Sequence, residues 1–488
     1  VESDSPEMSE IVCAGDIWDE IIESAWTSAE PGLLFWDTAK RMTPSDIYDS
    51  EGFGSVSTNP CGEIILSPND SCRLMLVNLT SFVLTPWSEN SSFDYIGFAE
   101  VVQKAQRLMD DMIDLEIEQV DKIINKIDSD PEPEAVKKIE RDLWIKIKEQ
   151  AIAGRRTGLG ITGLGDCLAK LGIRYGSKES IRETEKIYKW LGVHAYVSSM
   201  VMAKERGAFP VHNSAREIDH PFLNRIFDAI DEMPAESMPA SVSYKARHMN
   251  RKFGRRNISL TTTAPAGSVS TLTRTTSGIE PAYMLHYIRR KKITGQDTNA
   301  RVDFIDDSGD KWQEYTVYHH GFKEWMSRLS KEDLDMYTVD DLVQSSPYAG
   351  ATANEIDWVA KVNMQAAAQK WVCHAISNTT NLPADIDVET VKNVYMAGWE
   401  SGCKGVTVYR DGCRDGVLIS SNANIDEREN DTIVYHSAPK RPDVLPCDIH
   451  HATIKGEKWT ILVGVFDDRP YEVLGGLAEF VEIPSKYS

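Results

Sequence analysis

The stretch Asn59-Pro60-Cys61-Gly62-Glu63 sets an amide, a thiol and a carboxylate at alternate positions of a turn-prone segment. Alternate residues of an extended segment point the same way, so all three can face one small substrate. A carboxylate can accept a hydroxyl proton, an amide can hold an oxygen, and a thiol can do redox or radical chemistry. A Pro-Gly loop around a buried structural cysteine has the same composition, and composition alone does not separate the two. Cys72, further along, is a second thiol that a returning chain can bring close.

A second constellation is Ala264-Pro265-Ala266-Gly267-Ser268-Val269-Ser270, directly after the strand-like residues 258–263. Small residues and hydroxyls in such a loop can present backbone N–H groups to a phosphate, above all at a helix N-terminus. An ordinary strand-to-helix connection reads the same way. Residues 158–163, GLGITG, are a literal G-x-G-x-x-G. A dinucleotide fingerprint needs a strand before it and a helix after it. The preceding residues (WIKIKEQAIAGRR) are helical in pattern, so tight helix–strand packing around small residues is expected instead. Cys447, His450 and His451 suit zinc chemically, but their spacing is too compressed for a tetrahedral site and no partner cysteine pair exists, so no metal site is expected.

The elements that must position these groups alternate in type. Residues 15–28 read as a helix with Ile17, Ile21, Ile22 and Ala25 on one face. Residues 55–67 read as a loop, and an apolar run follows at 74–83. A helical pattern fills 96–127, with Val120, Ile123, Ile124 and Ile127 at i, i+3, i+4, i+7, until Asp130-Pro131-Glu132-Pro133 breaks it and a second helix runs to about Arg156. Strand-like segments at 157–162, 258–263 and 405–409 are separated by helical ones at 181–204, 358–376 and 388–401, which argues for parallel α/β architecture. A polar run, SSNANIDEREND, begins at Ser420 and reads as a linker. Beyond it, 452–455, 458–466 and 470–475 form a β-rich module with Asp467-Asp468 as a hairpin turn.

At 488 residues the chain is long enough for about three domains, or one large one with additions. Its net charge of −22 argues against a nucleic-acid or anionic-membrane partner, although a patch such as Arg289-Arg290-Lys291-Lys292 leaves room for a small phosphate-bearing ligand. No apolar run reaches the ~18 residues of a spanning helix, and no signal peptide is visible. Eight widely spaced cysteines without a C-x-x-C pair read as reduced thiols of a cytoplasmic protein.

Taken in order, several strings resemble the catalytic chain of ribonucleotide reductase, of the adenosylcobalamin-dependent (class II) type. They are STNPCGE at 57–63, GRRTGLGITGLGDCLAKLGIRYGS at 154–177, GRRNISLTTTAPAGSVS at 254–270 and TTSGIEPAYML at 275–285. NMQAAAQKW at 363–371, TTNLP at 379–383, GCKGVTVYRDG at 402–412 and GEKWTILVG at 456–464 follow. The resemblance implies an α/β fold: the second half of a ten-stranded α/β barrel over 1–419, a linker at 420–445 and a small β-rich module at 446–488. It implies that Cys61 is the thiyl-radical cysteine that abstracts the ribose 3′ hydrogen. Glu63 would take the 3′-hydroxyl proton, Asn59 would help hold that site, and Cys72 would be one of the cysteine pair that reduces the substrate radical. Residues 264–270 would be the substrate-phosphate loop, with Ala266 and Ser268 where the family usually has threonines.

The same resemblance implies adenosylcobalamin as cofactor, a ribonucleotide substrate, a dithiol reductant such as thioredoxin, and a dimer of the assembled enzyme. Nothing in the chain matches the family's first half-barrel, which carries the other reducing cysteine, or its cysteine-rich tail. The chain is therefore expected to be the second half of a split enzyme, or a fragment, completed by an N-terminal-half polypeptide. Two other readings stand beside this one: a reductase served by a separate metal radical subunit, and a non-catalytic half-barrel that acts only in assembly.

Overall fold

The computed structural model describes residues 12–242, 245–293, 301–305, 311–413, 442, 444–454, 457–466 and 469–480. The chain divides into two compact units, Val1–Ser421 and Asn422–Ser488. Nearly all of the expected linker, and the expected hairpin turn at Asp467-Asp468, lie outside the described residues.

The first unit opens with helix α1 (Ala14–Ser28), which buries Ile22 and Ala25; Ile17, grouped with them in the sequence, is 47% exposed. Strand β1 (Leu33–Leu34) follows. The expected loop at 55–67 contains a short hairpin instead, β2 (Ser57–Thr58) against β3 (Ile65–Leu66). Its turn closes because Gly62 takes a φ of 78°, a left-handed conformation that glycine adopts without a Cβ penalty. The apolar run resolves into β4 (Leu74–Asn78), a short 3₁₀ turn and two further strand residues.

Helix α2 (Tyr95–Ser129) starts at Asp94, whose side chain accepts from Gly97 N–H, and buries Phe98, Val102, Met109, Ile113, Val120 and Ile127 at helical spacing. The Asp130-Pro131 break separates it from α3 (Glu134–Gly154). Strand β5 (Gly158–Thr162) is buried at all five positions, the signature of a strand covered on both faces. Its glycines answer the G-x-G-x-x-G question. A Cβ at Gly158 would lie 2.8 Å from the Arg73 carbonyl oxygen, and one at Gly160 would lie 2.8 Å from that of Thr262. The small residues let neighbouring backbones close in, and the segment before them is α3, as a nucleotide fingerprint does not allow.

Helices α4 (Leu164–Lys170) and α5 (Lys178–Arg206) come next. Helix α5 is buried almost all round through residues 190–203 and forms the spine of the largest core cluster with Tyr188, Leu191, Tyr196 and Met200. Helix α6 (Gly267–Thr273) follows the segment 258–263. An antiparallel pair, His286–Lys292 with Lys311–Tyr318, leads to α7 (His320–Met326). Helix α8 spans Trp358–Gln369, not the full 358–376 that the pattern predicts. The Gln369 side chain donates to the carbonyls of Val372 and His374, and the chain turns extended, with His374 N–H donating to Thr261 at 3.0 Å. Sheet pairing thus overrides helical periodicity there. Strand β6 (Thr379–Leu382), helix α9 (Val388–Glu400) and strand β7 (Gly405–Arg410) complete the unit.

Parallel pairing runs from β4 to β5, then by the bridge Leu159↔Thr261 to 258–263 and by Thr263↔Ile376 to the segment that leads into β6, and from β6 to β7. Strand β1 closes one side antiparallel to β7. Among the described residues the series does not close on itself, and it ends at β4. Where β5 is fully buried, β4 leaves Leu74 37% exposed and most of its other residues half-buried. The second unit, described by itself, is an antiparallel meander of β8 (Cys447–Ile454), β9 (Glu457–Phe466) and β10 (Arg469–Leu477). No helix among the described residues is long and apolar enough to cross a membrane.

Candidate active site

The β2–β3 turn is held by three short contacts. Gly62 N–H donates to Asn59 O at 3.0 Å, Asn59 N–H to Ile64 O at 3.2 Å, and Ile64 N–H to Asn59 Oδ1 at 3.0 Å. The amide oxygen of Asn59 thus clamps its own turn, and its NH₂ group remains available as a donor. Cys61 sits exposed at the tip, which removes the reading of it as a buried structural cysteine; Cys167, Cys373 and Cys403 are the buried ones.

Glu63 is 1% exposed. Its carbonyl accepts from Thr262 Oγ1 at 2.8 Å and from Ala375 N–H at 2.9 Å, which ties the turn across the two neighbouring parallel segments. Its Oε2 has no hydrogen-bond partner among the described residues. A buried polar atom without a partner is costly, so it points to a group that arrives from outside.

Cys72 stands two residues before β4 and is exposed. Desolvation, then the nearby Glu63 carboxylate and Cys61, push its thiol up to about 11. Cys61 is raised for the same first two reasons. Both cysteines therefore stay protonated at neutral pH, and they share the field of one carboxylate. The structure brings Asn59, Cys61, Glu63 and Cys72 together.

What holds the two arms in register is Arg156, to which the sequence reading gave no role although it lies inside a quoted string. It pairs with Asp70 at 2.6 Å with both side chains 1% exposed. It also donates to Ile65 O and to Ser67 Oγ, each at 2.9 Å. One buried guanidinium thus spans the segment between the two thiols, using the fork geometry that a lysine lacks.

In the loop at 264–270, Ala264 and Ala266 are buried, Ser270 is half-buried, and Pro265, Gly267, Ser268 and Val269 are exposed. Ala266 N–H donates to Ser277 Oγ at 3.0 Å, and a Cβ at Gly278 would lie 2.7 Å from Ala264 O, so the loop is stapled against 275–278. Residues 267–269 form the first turn of α6, where backbone N–H groups lack intrahelical partners. The loop follows directly from Thr262, which holds Glu63.

A cavity of about 590 Å³ opens beside this loop, lined by Thr276, Ser277, Glu280, Tyr283, Asn381 and Tyr409 among others. It gathers three quoted strings, 275–285, 379–383 and 402–412, into one wall. Neither the four residues above nor the loop 264–270 lines it. Glu280 is fixed there by Lys361 and by Thr379 N–H at 2.7 Å.

Cys447, His450 and His451 lie along one strand, where the adjacent histidines point to opposite faces, so they do not converge. The acidic group Asp110, Asp111 and Asp114 is occupied by arginines: Arg155 at 2.7 Å from Asp110 and 2.8 Å from Asp114, and Arg206 at 2.6 Å from Asp111.

The family described as "Ribonucleotide reductase, barrel domain" matches residues 1–409. The chain is 32% identical, over 84% of its length and 49% of the relative's, to a vitamin B12-dependent ribonucleoside-diphosphate reductase of Mycobacterium tuberculosis (strain CDC 1551 / Oshkosh). It is 28% identical, over 88% of its length and 47% of the relative's, to the protein of the same name from Thermoplasma acidophilum. The chain thus spans about half the length of the curated relatives it matches. Among solved structures, the alpha subunit of the Actinobacillus ureae class Id ribonucleotide reductase shares the fold, with a TM-score of 0.50 at 17% identity over 82% of this chain and 61% of that one. With the family matched over most of its length, the chain belongs to the ribonucleotide reductase barrel-domain family.

Proposed function

We propose that the chain carries the radical half of a ribonucleotide reductase active site, and that it converts ribonucleotides to 2′-deoxyribonucleotides together with a polypeptide that supplies the remaining half-barrel. The observation that carries the reading is the Asn59–Cys61–Glu63 turn, with an exposed thiol beside a buried carboxylate whose Oε2 lacks a partner among the described residues. The half-exposed edge strand β4 supports a covering partner, since an unpaired edge with apolar side chains is a liability for a lone chain. The relatives named as vitamin B12-dependent support adenosylcobalamin as the cofactor. Eight unpaired cysteines support a reducing compartment, the cytoplasm.

Cys61, exposed at its turn, leaves its sulfur open to a bulky cofactor, so the residues present fit one. Adenosylcobalamin, when bound, supplies the one-electron oxidation of the Cys61 thiol, chemistry that side chains alone do not provide. The Cys61 sulfur then takes the ribose 3′ hydrogen atom. Glu63 Oε2 accepts the 3′-hydroxyl proton, while the Asn59 NH₂ donates to the oxygen. Cys72 and a cysteine of the partner then end as a disulfide: one of their two protons leaves with the 2′-hydroxyl as water, and their other hydrogen goes to C2′. Glu63 returns its proton to the 3′ oxygen, Cys61 returns the hydrogen atom to C3′, and an external dithiol such as thioredoxin reduces the disulfide. Gly267, Ser268 and Val269 N–H groups at the first turn of α6 hold the substrate phosphates. The assembled enzyme is a dimer of such pairs.

The carboxylate gives the test. Glu63→Gln keeps shape but removes the proton acceptor, and kcat for deoxynucleotide formation should fall by about 10²–10⁴ with little change in KM. Wild-type kcat in that variant would refute the assigned role.

A further inference from the structure

A second cavity, of about 710 Å³, lies at the C-terminal end of α6, away from the helix start that carries the loop at 264–270. Its wall comes from the end of α4, from residues 273–275 and from α7. The two carboxylates that face it are already engaged. Asp166 accepts from Tyr348 OH at 2.7 Å and from Thr276 N–H at 2.8 Å, and it pairs with His319 at 2.6 Å. Glu324 is held by Lys170 at 2.7 Å and by Trp87 Nε1–H at 3.1 Å.

The cations Arg274 and Lys323 on the same wall have no side-chain partner among the described residues. His320, on the turn of helix that carries Lys323, feels them. Burial, His319, Arg274 and Lys323 all disfavour its protonation, with Asp166 opposing. Thr80, Thr273, Thr275 and Ser327 add hydroxyl oxygens to the lining, those of Thr273 and Ser327 donating to the carbonyls of Val269 and Glu324. In a chain of net charge −22, an unneutralised pair of cations around a hydroxyl-rimmed cavity is a local reversal of sign. The volume is far larger than one phosphate fills, and lies in the range of small-ligand sites.

We propose that this cavity binds a polyphosphate chain, inorganic or borne by a nucleotide, through Arg274, Lys323 and His320. The site is separate from the loop at 264–270 and does not depend on the reductase reading. Because Arg274 caps α6, an occupant would touch the helix that carries that loop.

The test is calorimetric titration of the full chain at low salt with sodium tripolyphosphate and, in parallel, with ATP. The histidine resonances are followed by NMR. Arg274→Ala with Lys323→Ala should weaken one tripolyphosphate-binding event at least tenfold and leave any event at the 264–270 loop in place. Circular dichroism and melting temperature should match wild type, since both side chains are exposed. His320 should bind its proton more tightly in the tripolyphosphate complex than in the free chain. ATP binding at least tenfold tighter than tripolyphosphate would identify a nucleotide as the occupant; equal affinity would identify the phosphates alone as the feature read. An unchanged titration in the double variant, a His320 resonance indifferent to bound tripolyphosphate, or no binding of either ligand would overturn the proposal. No turnover is measured, so failure here leaves the reductase reading untouched, and failure of that reading leaves this one untouched.

Discussion

Cys61→Ser should abolish deoxynucleotide formation while leaving the protein folded. A hydroxyl has nearly the shape of the thiol, but its O–H bond is too strong for the oxygen to serve as a reversible hydrogen-atom abstractor. The loss is therefore expected at the chemical step and not in substrate binding. Stability should hardly change, because Cys61 is exposed at a turn kept closed by Asn59 and Gly62. Surface substitutions of this kind usually fall within about 0.5 kcal/mol. The check is turnover beside a urea titration of the same sample. Retained turnover would mean that another residue carries the radical, and a collapsed fold would mean that the thiol has a structural task the geometry does not show.

Arg255→Ala should have the largest effect on stability. Arg255 and Glu217 are 0% and 1% exposed and meet at 2.5 Å. Tyr48 OH and Asn250 Nδ2 also donate to this carboxylate, at 2.7 and 2.8 Å. Burial alone would raise the Glu217 carboxyl, but the Arg255 charge, with hydrogen bonding to His212 and Arg255, wins and holds it well below the usual range. Removing the arginine strands a buried charge, which costs about 3–5 kcal/mol.

The guanidinium also donates to Asn257 O at 2.8 Å and Ile258 O at 3.1 Å, so the extended segment that leads to the 264–270 loop loses its anchor. The pH dependence follows from the depressed carboxyl. Its stabilisation is complete above the unfolded value of about 4.3 and is lost as pH falls through the lower folded value. The gap between wild type and variant should accordingly narrow in acid. Replacing both partners together, Arg255→Met with Glu217→Leu, should recover much of the loss. Equal urea midpoints for wild type and Arg255→Ala at pH 7 would contradict this account of the core.

Local signals in the sequence marked the turn that holds the candidate site and missed most of what supports it. The turn at 59–63 was readable because Pro-Gly chemistry and alternating side-chain direction act over a few residues. The long helix at 95–129 was readable because its apolar stripe repeats over many turns, and the one at 178–206 because its helix-forming, largely buried run is long and unbroken by Gly or Pro clusters. Arg156 was not, since its partners Ile65, Ser67 and Asp70 are far away in sequence and a buried arginine looks like any other until the fold is known. The same holds for the cavity around Glu280, whose wall draws on residues from Thr275 to Tyr409. Residues 370–376 misled the reading because their apolar content fits a helix, whereas pairing with 261–263 decides their conformation. The phosphate-loop candidate could be placed after an extended segment, which makes isolated parallel bridges and no regular strand, yet only the structure shows that Ser277 and Gly278 hold it.

The most direct measurement is dCDP formation from CDP, with adenosylcobalamin and a small dithiol. It is run with this chain alone, with a candidate N-terminal half alone, and with the two mixed. The account predicts turnover only in the mixture and only with the cofactor present. Turnover by this chain alone would contradict the claim that a partner completes the site. Silence in the mixture, with a complex shown to form, would contradict the catalytic claim and leave a half-barrel that serves assembly only.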